Sequence, residues 1–313
     1  MTSPLPVLAS NTIGFVGLGK MGFPIAQHLL TAGFHMRAYD LDPQRAASLA
    51  QFGAEQREQL QEVVEPGGIV FSMVPDDVAL IHIVEGKDGI LAHLGPGGVH
   101  VSMSTIAPSL AEQFEHRYAQ RGATYLSAPV LGRPNLAQAG QLTVLLSGQP
   151  TVWERVRLML SHVGSIHEVG DRAEIACVLK LLNNFLIISA LEAMGEASGI
   201  LECYRIDSRQ FFTIVADGIF DCPVYQEYGN MIGTGTFEPA LFPTMLGMKD
   251  VLLIEAMAER LGLHLPTLQL AKQHLRDAMD AGWHQMDWSI LAAFASKDVR
   301  QPTFHLSDKK EVE

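Results

Sequence analysis

Two groups of residues in this 313-residue chain have types and spacings that could do chemistry. The first is the stretch Gly17-Leu18-Gly19-Lys20-Met21-Gly22, set between the apolar run Thr12 to Val16 and the helically spaced Met21, Ile25, Leu29 and Leu30. In a strand–turn–helix setting each glycine has a task. The first permits the tight turn, the second lets backbone approach a pyrophosphate, and the third lets helix and strand pack closely. The new helix then offers unpaired N–H groups and a positive dipole end to phosphates. Asp40, 18 residues past Gly22 at the end of a second strand, can accept from ribose hydroxyls and would repel a 2′-phosphate. The pattern points to a dinucleotide, with NAD favoured and NADP left open, since Arg37 or Arg45 could reach under the ribose. The plainer alternatives are a structural strand–helix corner for the glycines and a helix cap or exposed strand end for Asp40.

The second group lies in "ACVLKLLNNFLIISALEAMGEA" (176–197), where Lys180 and Asn184 share a helical face amid apolar neighbours. The bland reading is a snorkelling lysine and a core-satisfied asparagine. With a dinucleotide domain upstream a catalytic reading follows. Hydride transfer to a carbonyl leaves an alkoxide that needs a proton, the reverse oxidation needs a base, and a lysine with a lowered pKa in a partly apolar cleft serves both. Asn184 would hold that lysine or the reacting oxygen. Asn183 faces elsewhere and is assigned no role.

These residues need elements to position them. Strand-like runs at 12–16, 35–40, 68–75, 98–105, 123–130 and 142–148 alternate with helical patterns to about Val169. Such alternation predicts βαβ units and a mostly parallel sheet. From Asp171 onward the chain reads as helices, among them 171–203, 207–217, 247–262 and 267–281. The expected division is 1–169, a dinucleotide-binding domain, and 170–313, an all-helical substrate and assembly domain.

Composition narrows the classes. The chain is 48% hydrophobic and 18% charged, enough for packed cores, and its net charge of -12 argues against nucleic acid as a partner. The three cysteines, Cys177, Cys203 and Cys222, form no CxxC and read as reduced core or near-core residues. No His or Cys spacing suggests a metal site. Residues 1–11 do not read as a signal sequence, and no uninterrupted apolar run has the length of a membrane span. The tail SDKKEVE reads as a frayed end. No membrane partner and a cytoplasmic location are the expectations.

From Ile13 to about Phe294 the sequence resembles the β-hydroxyacid dehydrogenases, relatives of 3-hydroxyisobutyrate dehydrogenase, tartronate semialdehyde reductase and 6-phosphogluconate dehydrogenase. The likeness rests on "GFVGLGKMGFPIAQHLLTAGF", on "SMVPD" (72–76), which resembles the loop passing the nicotinamide, and on "SMSTIAP" (102–108) with Ser104 and Thr105 in place. It also rests on "APVLG" (128–132), "KLLNN" (180–184) and "LGMKD" (246–250). The resemblance implies an α/β Rossmann-type N-terminal domain followed by an all-α C-terminal domain. It implies reversible NAD(P)-dependent oxidation of a small hydroxyacid, a CH–OH reaction, and a homodimer or homotetramer built through the helical half. It assigns Lys180 and Asn184 to catalysis. Gly17, Leu18, Gly19, Lys20, Met21, Gly22, Asp40, Val74, Pro75, Thr105 and Lys249 would bind cofactor. Ser104, Val130, Leu131, Gly132, Arg133 and Phe242 would bind the substrate carboxylate and its surroundings.

One departure bears on specificity. The family turn usually runs Ala-Pro-Val-Ser-Gly-Gly, whereas this chain has Ala128-Pro129-Val130-Leu131-Gly132-Arg133. Leu131 loses a hydroxyl donor, and Arg133 brings a guanidinium able to hold a carboxylate or phosphate, or simply a surface arginine. A smaller departure is the single glycine in "VGDRAEIACVLK". Phe242 and Lys249 have plain alternatives as a core aromatic and a partner of Asp250. Met245, Met248 and Met257 read as core, Trp288 as packing, Asp287 as a helix cap and His284 as structural. The competing functions are an imine reductase, against which Lys180 argues, and a cofactor-binding scaffold without turnover.

Overall fold

The computed structural model describes residues 12–300, so the readings of residues 1–11 and of the tail SDKKEVE lie outside the described residues. These residues form two compact units that divide at Leu182/Asn183.

The first unit carries strands β1 (Thr12–Val16), β2 (His35–Tyr39), β3 (Glu55–Gln56), β4 (Ile69–Ser72), β5 (Val99–Ser102), β6 (Thr124–Ser127), β7 (Val130–Leu131), β8 (Leu142–Ser147) and β9 (Gly164–Gly170). Among them run α1 (Gly22–Thr31), α2 (Pro43–Ala50), α3 (Asp77–Val84), α4 (Ile90–Leu94), α5 (Pro108–Ala119), α6 (Pro134–Ala139) and α7 (Trp153–Ser161). Strand order begins β3-β2-β1-β4-β5-β6, all parallel, and continues through antiparallel β8, which pairs with β7 and β9. The central strands read as unbroken apolar runs because both sheet faces are covered. Phe15, Val70, Phe71, Val99 and Val101 are fully buried. The order reverses between β1 and β4, the switch point beside which dinucleotides bind in open α/β sheets.

Two strand expectations change. The run 123–130 splits into β6 and β7 around Ala128-Pro129, since proline has no N–H to continue a ladder. β9 is a strand the apolar pattern misses, because Ser165, His167 and Glu168 put polar residues on an exposed edge. Inside the sheet, His100 bonds to the Ser72 hydroxyl (2.8 Å) and to the Tyr118 hydroxyl (2.7 Å). Burial alone pushes its pKa down to about 3, so it is a neutral core histidine.

A long helix, α8 (Glu174–Cys203), begins in the first unit. Its first turns are anchored to the sheet. The Ser147 hydroxyl donates to the Ala173 carbonyl (2.9 Å) and accepts from the Ala176 N–H (3.1 Å). Cys177 is buried beneath them, 3.6 Å from the Ser127 hydroxyl. By length and composition α8 could cross a membrane, with a mean hydropathy of 1.7 over its most apolar window. Its apolar residues are nevertheless interrupted by Lys180, Asn183, Asn184, Glu192 and Glu196.

The second unit holds the rest of α8 and α9 (Ser208–Ala216), α10 (Gly229–Thr234), α11 (Thr244–Arg260), α12 (Pro266–Asp280) and α13 (Leu291–Arg300). Buried polar groups tie these helices together. His274 on α12 bonds through Nδ1 to Glu192 on α8 (2.9 Å) and through Nε2 to Asp298 on α13 (3.0 Å). Trp288 packs on Phe242 and donates to the Tyr228 hydroxyl at 2.7 Å. Asp287 caps the turn at Ser289 and also accepts from the Leu241 and Phe242 N–H groups. Two expectations are corrected here. Cys203, in the last turn of α8, is exposed rather than near-core, and Met245, on the first turn of α11, is exposed while Met248 one turn on is buried.

Candidate active site

The carboxyl ends of β1, β4 and β5 lie side by side. Their ladder extends past the strands, with Met73 N–H on the Val16 carbonyl (2.9 Å) and Met103 N–H on that of Ser72 (2.8 Å). The glycine turn rises from the first of these ends. Gly17 sits at φ +92°, and a Cβ there would overlap the Met73 carbonyl oxygen. A Cβ at Gly22 would overlap the Gly17 carbonyl. Both positions therefore exclude a side chain for packing reasons. Gly19 differs. A Cβ there would meet only Arg45 Nη1, at 3.9 Å, so its face of the turn is open. α1 follows with no side-chain cap and no acidic residue in its first turn, which suits a helix end that receives phosphate. An open glycine face beside an uncapped helix start is a cradle that fits a dinucleotide pyrophosphate. Leu18 is buried and Lys20 exposed at this turn, and Met21 is half-buried.

Asp40 is not a helix cap. That task falls to Asp42, whose carboxylate accepts from the Gln44 N–H at 3.1 Å. Asp40 instead holds the turn. Its Oδ2 accepts from the Leu18 N–H (2.6 Å) and its Oδ1 from the Asp42 N–H (2.8 Å). The Leu18 N–H is thus committed to Asp40. The side chain of Asp40 is 9% exposed, so it presents one edge outward. Beside it opens a cavity of about 600 Å³, lined by Tyr39, Leu41, Leu60, His82 and Ile83 among others, with room for an adenosine. Leu60, His82 and Ile83 carry no motif, and only the fold brings them here.

On the neighbouring strand ends, the buried Ser104 hydroxyl accepts from the Val74 N–H at 2.9 Å. Ser104, expected to meet substrate, therefore also fixes the loop carrying Val74 and Pro75. Asp77 accepts from the Ala107 N–H (3.0 Å), tying that loop to the segment containing Thr105. Val130 is buried and Leu131 half-buried on β7, while Gly132 is exposed and the half-buried Arg133 occupies the N-cap position of α6.

α8 carries Lys180, half-buried, one turn before Asn184, which is buried. In the second unit the Asn184 amide is fixed at both ends. Its Nδ2 donates to Asp250 Oδ2 (2.6 Å), and its Oδ1 accepts from Asn183 Nδ2 (3.1 Å). Since a carboxylate only accepts, this pairing sets the amide's orientation. Asn183 therefore has a contact role that its place in sequence did not suggest. Asp250 is buried, with Lys249 Nζ at 3.0 Å from its Oδ1, the pairing weighed for Lys249 from sequence. Asp250 is a candidate beyond those the motifs name, and its signal in sequence is a carboxylate within "MKD" on an apolar helix face. Phe242 is half-buried against Trp288. Among the described residues no cluster of His, Cys, Asp and Glu is placed to hold a metal.

Comparison with known proteins agrees with this geometry. Residues 12–179 match the NAD binding domain of 6-phosphogluconate dehydrogenase, and residues 176–294 match the NAD-binding domain of NADP-dependent 3-hydroxyisobutyrate dehydrogenase. The chain is 35% identical over 280 residues to the uncharacterized oxidoreductase YfjR of Bacillus subtilis (strain 168), covering 89% of this chain and 98% of that one. It is 29% identical over 280 residues to 2-hydroxy-3-oxopropionate reductase of Escherichia coli (strain K12), covering 89% and 95%. The solved Mycobacterium tuberculosis 3-hydroxyisobutyrate dehydrogenase with L-serine superposes with a TM-score of 0.81 at 24% identity, over 91% of this chain and 99% of that one, a likeness of fold. A glycine turn at the switch point of a 3-2-1-4-5-6 sheet, a helical second half and these matches lead to one assignment: the chain belongs to the β-hydroxyacid dehydrogenase family and is an NAD(P)-dependent oxidoreductase.

Proposed function

We propose that the protein reversibly oxidises a small hydroxyacid to its semialdehyde or keto form, with Lys180 as general acid and base. A nicotinamide cofactor, held by the glycine turn and the loops after β4 and β5, would supply the hydride chemistry when bound. Lys180 Nζ takes the hydroxyl proton as the alcohol is oxidised and returns it to the oxygen on reduction. Asn184, one turn along the same helix face, holds the reacting oxygen, and its amide is already oriented by Asp250. That fixed amide is the observation that carries the reading, because a buried asparagine held by a carboxylate is preorganised rather than merely satisfied. Ser104 and the turn Val130 to Arg133 receive the substrate carboxylate, Phe242 borders it, and Arg133 favours an anionic substrate. Gly17 to Gly22, Val74, Pro75, Thr105 and Lys249 attend the cofactor, and Asp40 takes the ribose diol, which favours NAD(H).

The protein works as a homodimer or homotetramer through its helical half. Leu186 (69% exposed), Ile200, Ile214 and Ile219 (90% exposed) leave apolar surface in the second unit that support this reading. The test of function is Lys180→Ala assayed with a hydroxyacid panel. A kcat loss of about 10²–10⁴-fold is expected, with the dissociation constant for NAD(H) unchanged. A variant that retained near-normal kcat across pH would remove Lys180 from the chemistry.

A further inference from the structure

Four neighbouring strands each end on a serine. Ser72, Ser102, Ser127 and Ser147 pair in register across β4, β5, β6 and β8, so their side chains share one face of the sheet, and all four are buried. A buried hydroxyl is costly unless it is hydrogen-bonded. Ser72 meets His100 inside the sheet, whereas Ser127 and Ser147 turn to the start of α8. The β8–β9 register shifts at this point, with Leu146 paired to Glu168 but Ser147 to Gly170, and a shift of this kind re-aims the side chain beside it.

The first N–H groups of a helix need partners from outside its own ladder. In a capping box the hydroxyl of the residue before the helix accepts from the N–H three positions on, and a glutamate at that third position accepts from the N–H of the first. Ala173, just before α8, has no hydroxyl, and Ala176 has no carboxylate. Residues from other elements take both tasks. Ser147 on β8 accepts from the Ala176 N–H (3.1 Å) and donates to the Ala173 carbonyl (2.9 Å), and Glu115 on α5 accepts from the Ala173 N–H (3.2 Å). One turn in, the Cys177 thiol lies 3.6 Å from the Ser127 hydroxyl. The capping box of α8 is thus assembled from the sheet and from α5, and it ties the helix to both.

Lys180 follows Ala176 by one helical turn and shares its face. That turn is about 6 Å of axis, so a tilt of about 10° at Ala176 would carry the lysine about 1 Å, a displacement that costs on the order of 10²-fold in rate at a reacting group. We propose that Ser147 and Glu115 are positioning residues for Lys180. Their hydrogen bonds to Ala173 and Ala176 set the angle at which α8 leaves the sheet, and with it the place of the lysine. The inference rests on Lys180 being the acid and base of the reaction.

A double-mutant cycle in the full-length protein, assayed with glyoxylate and succinate semialdehyde and either NADH or NADPH, tests it. Ser147→Ala and Glu115→Ala should each lower kcat by about tenfold or more. In the Lys180→Ala background each should cost less than about twofold, because no lysine remains to be misplaced. Glu115→Gln keeps an acceptor for the Ala173 N–H and should return kcat to within about threefold of wild type, and the Glu115 pair carries the test if Ser147→Ala does not fold. Amine labelling of the cofactor-free protein, mapped by mass spectrometry, is a second readout and decides alone where turnover is too slow to measure. Both alanine variants should change the labelling rate of Lys180 by about threefold or more, with Lys87, 91% exposed, as the unchanged control. Equal kcat losses in the two backgrounds, or alanine variants with wild-type kcat and unchanged labelling of Lys180, would overturn the proposal. A Lys180→Ala variant with near-normal kcat would instead remove Lys180 from the chemistry, and the positioning role with it.

Discussion

Asn184 and Asp250, 66 residues apart, meet inside the second unit through a 2.6 Å hydrogen bond from the amide to the carboxylate. The bond joins α8 to α11 and leaves the amide one orientation. Asp250 also has the Lys249 ammonium at 3.0 Å, so one buried carboxylate holds two of the residues assigned to the reaction.

Two Asp250 variants separate these tasks. Asp250→Ala strands the Asn184 amide, a loss of about 1–3 kcal/mol in stability, and should lower kcat by about 100-fold through misplacement of the asparagine. Asp250→Asn keeps an acceptor for Asn184 and removes the charge beside Lys249. It should restore most of kcat and leave a raised KM for the cofactor. Steady-state kinetics with melting curves for both variants check this. A purely structural Asp250 would lower the melting temperature of the alanine variant with kcat untouched.

The glycine turn makes an unequal prediction for two alanines. Gly22→Ala places a methyl against the Gly17 carbonyl and should unsettle the fold itself, costing about 1–3 kcal/mol. Gly19→Ala has room, so its melting temperature should stay close to the wild-type value, while cofactor affinity falls at least about tenfold because the methyl fills the phosphate cradle. Thermal melts and NAD⁺ titrations distinguish the two. Equal melting temperatures for both variants would contradict the geometry.

The buried His274 sets a pH window for stability. Burial works against its charge, but the hydrogen bonds to Glu192 and Asp298 outweigh that and hold its pKa up to about 9, against 6.5 for an ordinary histidine. Glu196 adds a further negative charge near Glu192. A raised folded-state pKa contributes stability in full below pH 6.5, and that contribution fades as pH rises through about 9. Denaturant unfolding from pH 6 to 10 should show this decline in the wild-type protein and a flatter profile in His274→Gln. Matching slopes for the two proteins would exclude His274 as the group responsible.

Much of the site was legible because its signals are local. The glycine spacing, the apolar strand before it and the helical period after it all fall within Thr12 to Leu30. Lys180 and Asn184 are one turn apart on a single helix, so spacing alone aligns them. The helical readings 171–203, 207–217, 247–262 and 267–281 lie within a few residues of α8, α9, α11 and α12, because amphipathic period is read from neighbours in the chain, whereas the short α10 carries no such period. β9 was not, since an exposed edge strand needs no apolar alternation to pair with β8. The exposure of Cys203 and Met245 likewise depends on which face of a helix the rest of the unit covers, and residue type does not report that.

What the sequence by itself determined is the kind of cofactor, and it nominated the residue proposed to move a proton. Both follow from backbone freedom at glycines and from side-chain chemistry at helical spacing. What only the tertiary structure decided is which partner each polar group takes. Asp40 binds the Leu18 N–H rather than capping α2, Ser104 supports Val74, Arg45 rather than Arg37 stands over Gly19, and Asp250 orients Asn184. Polar contacts are settled by distances of 2.6–3.9 Å between groups that lie from 22 to 66 residues apart in these cases, and chain order does not encode those distances until the helices and strands have packed.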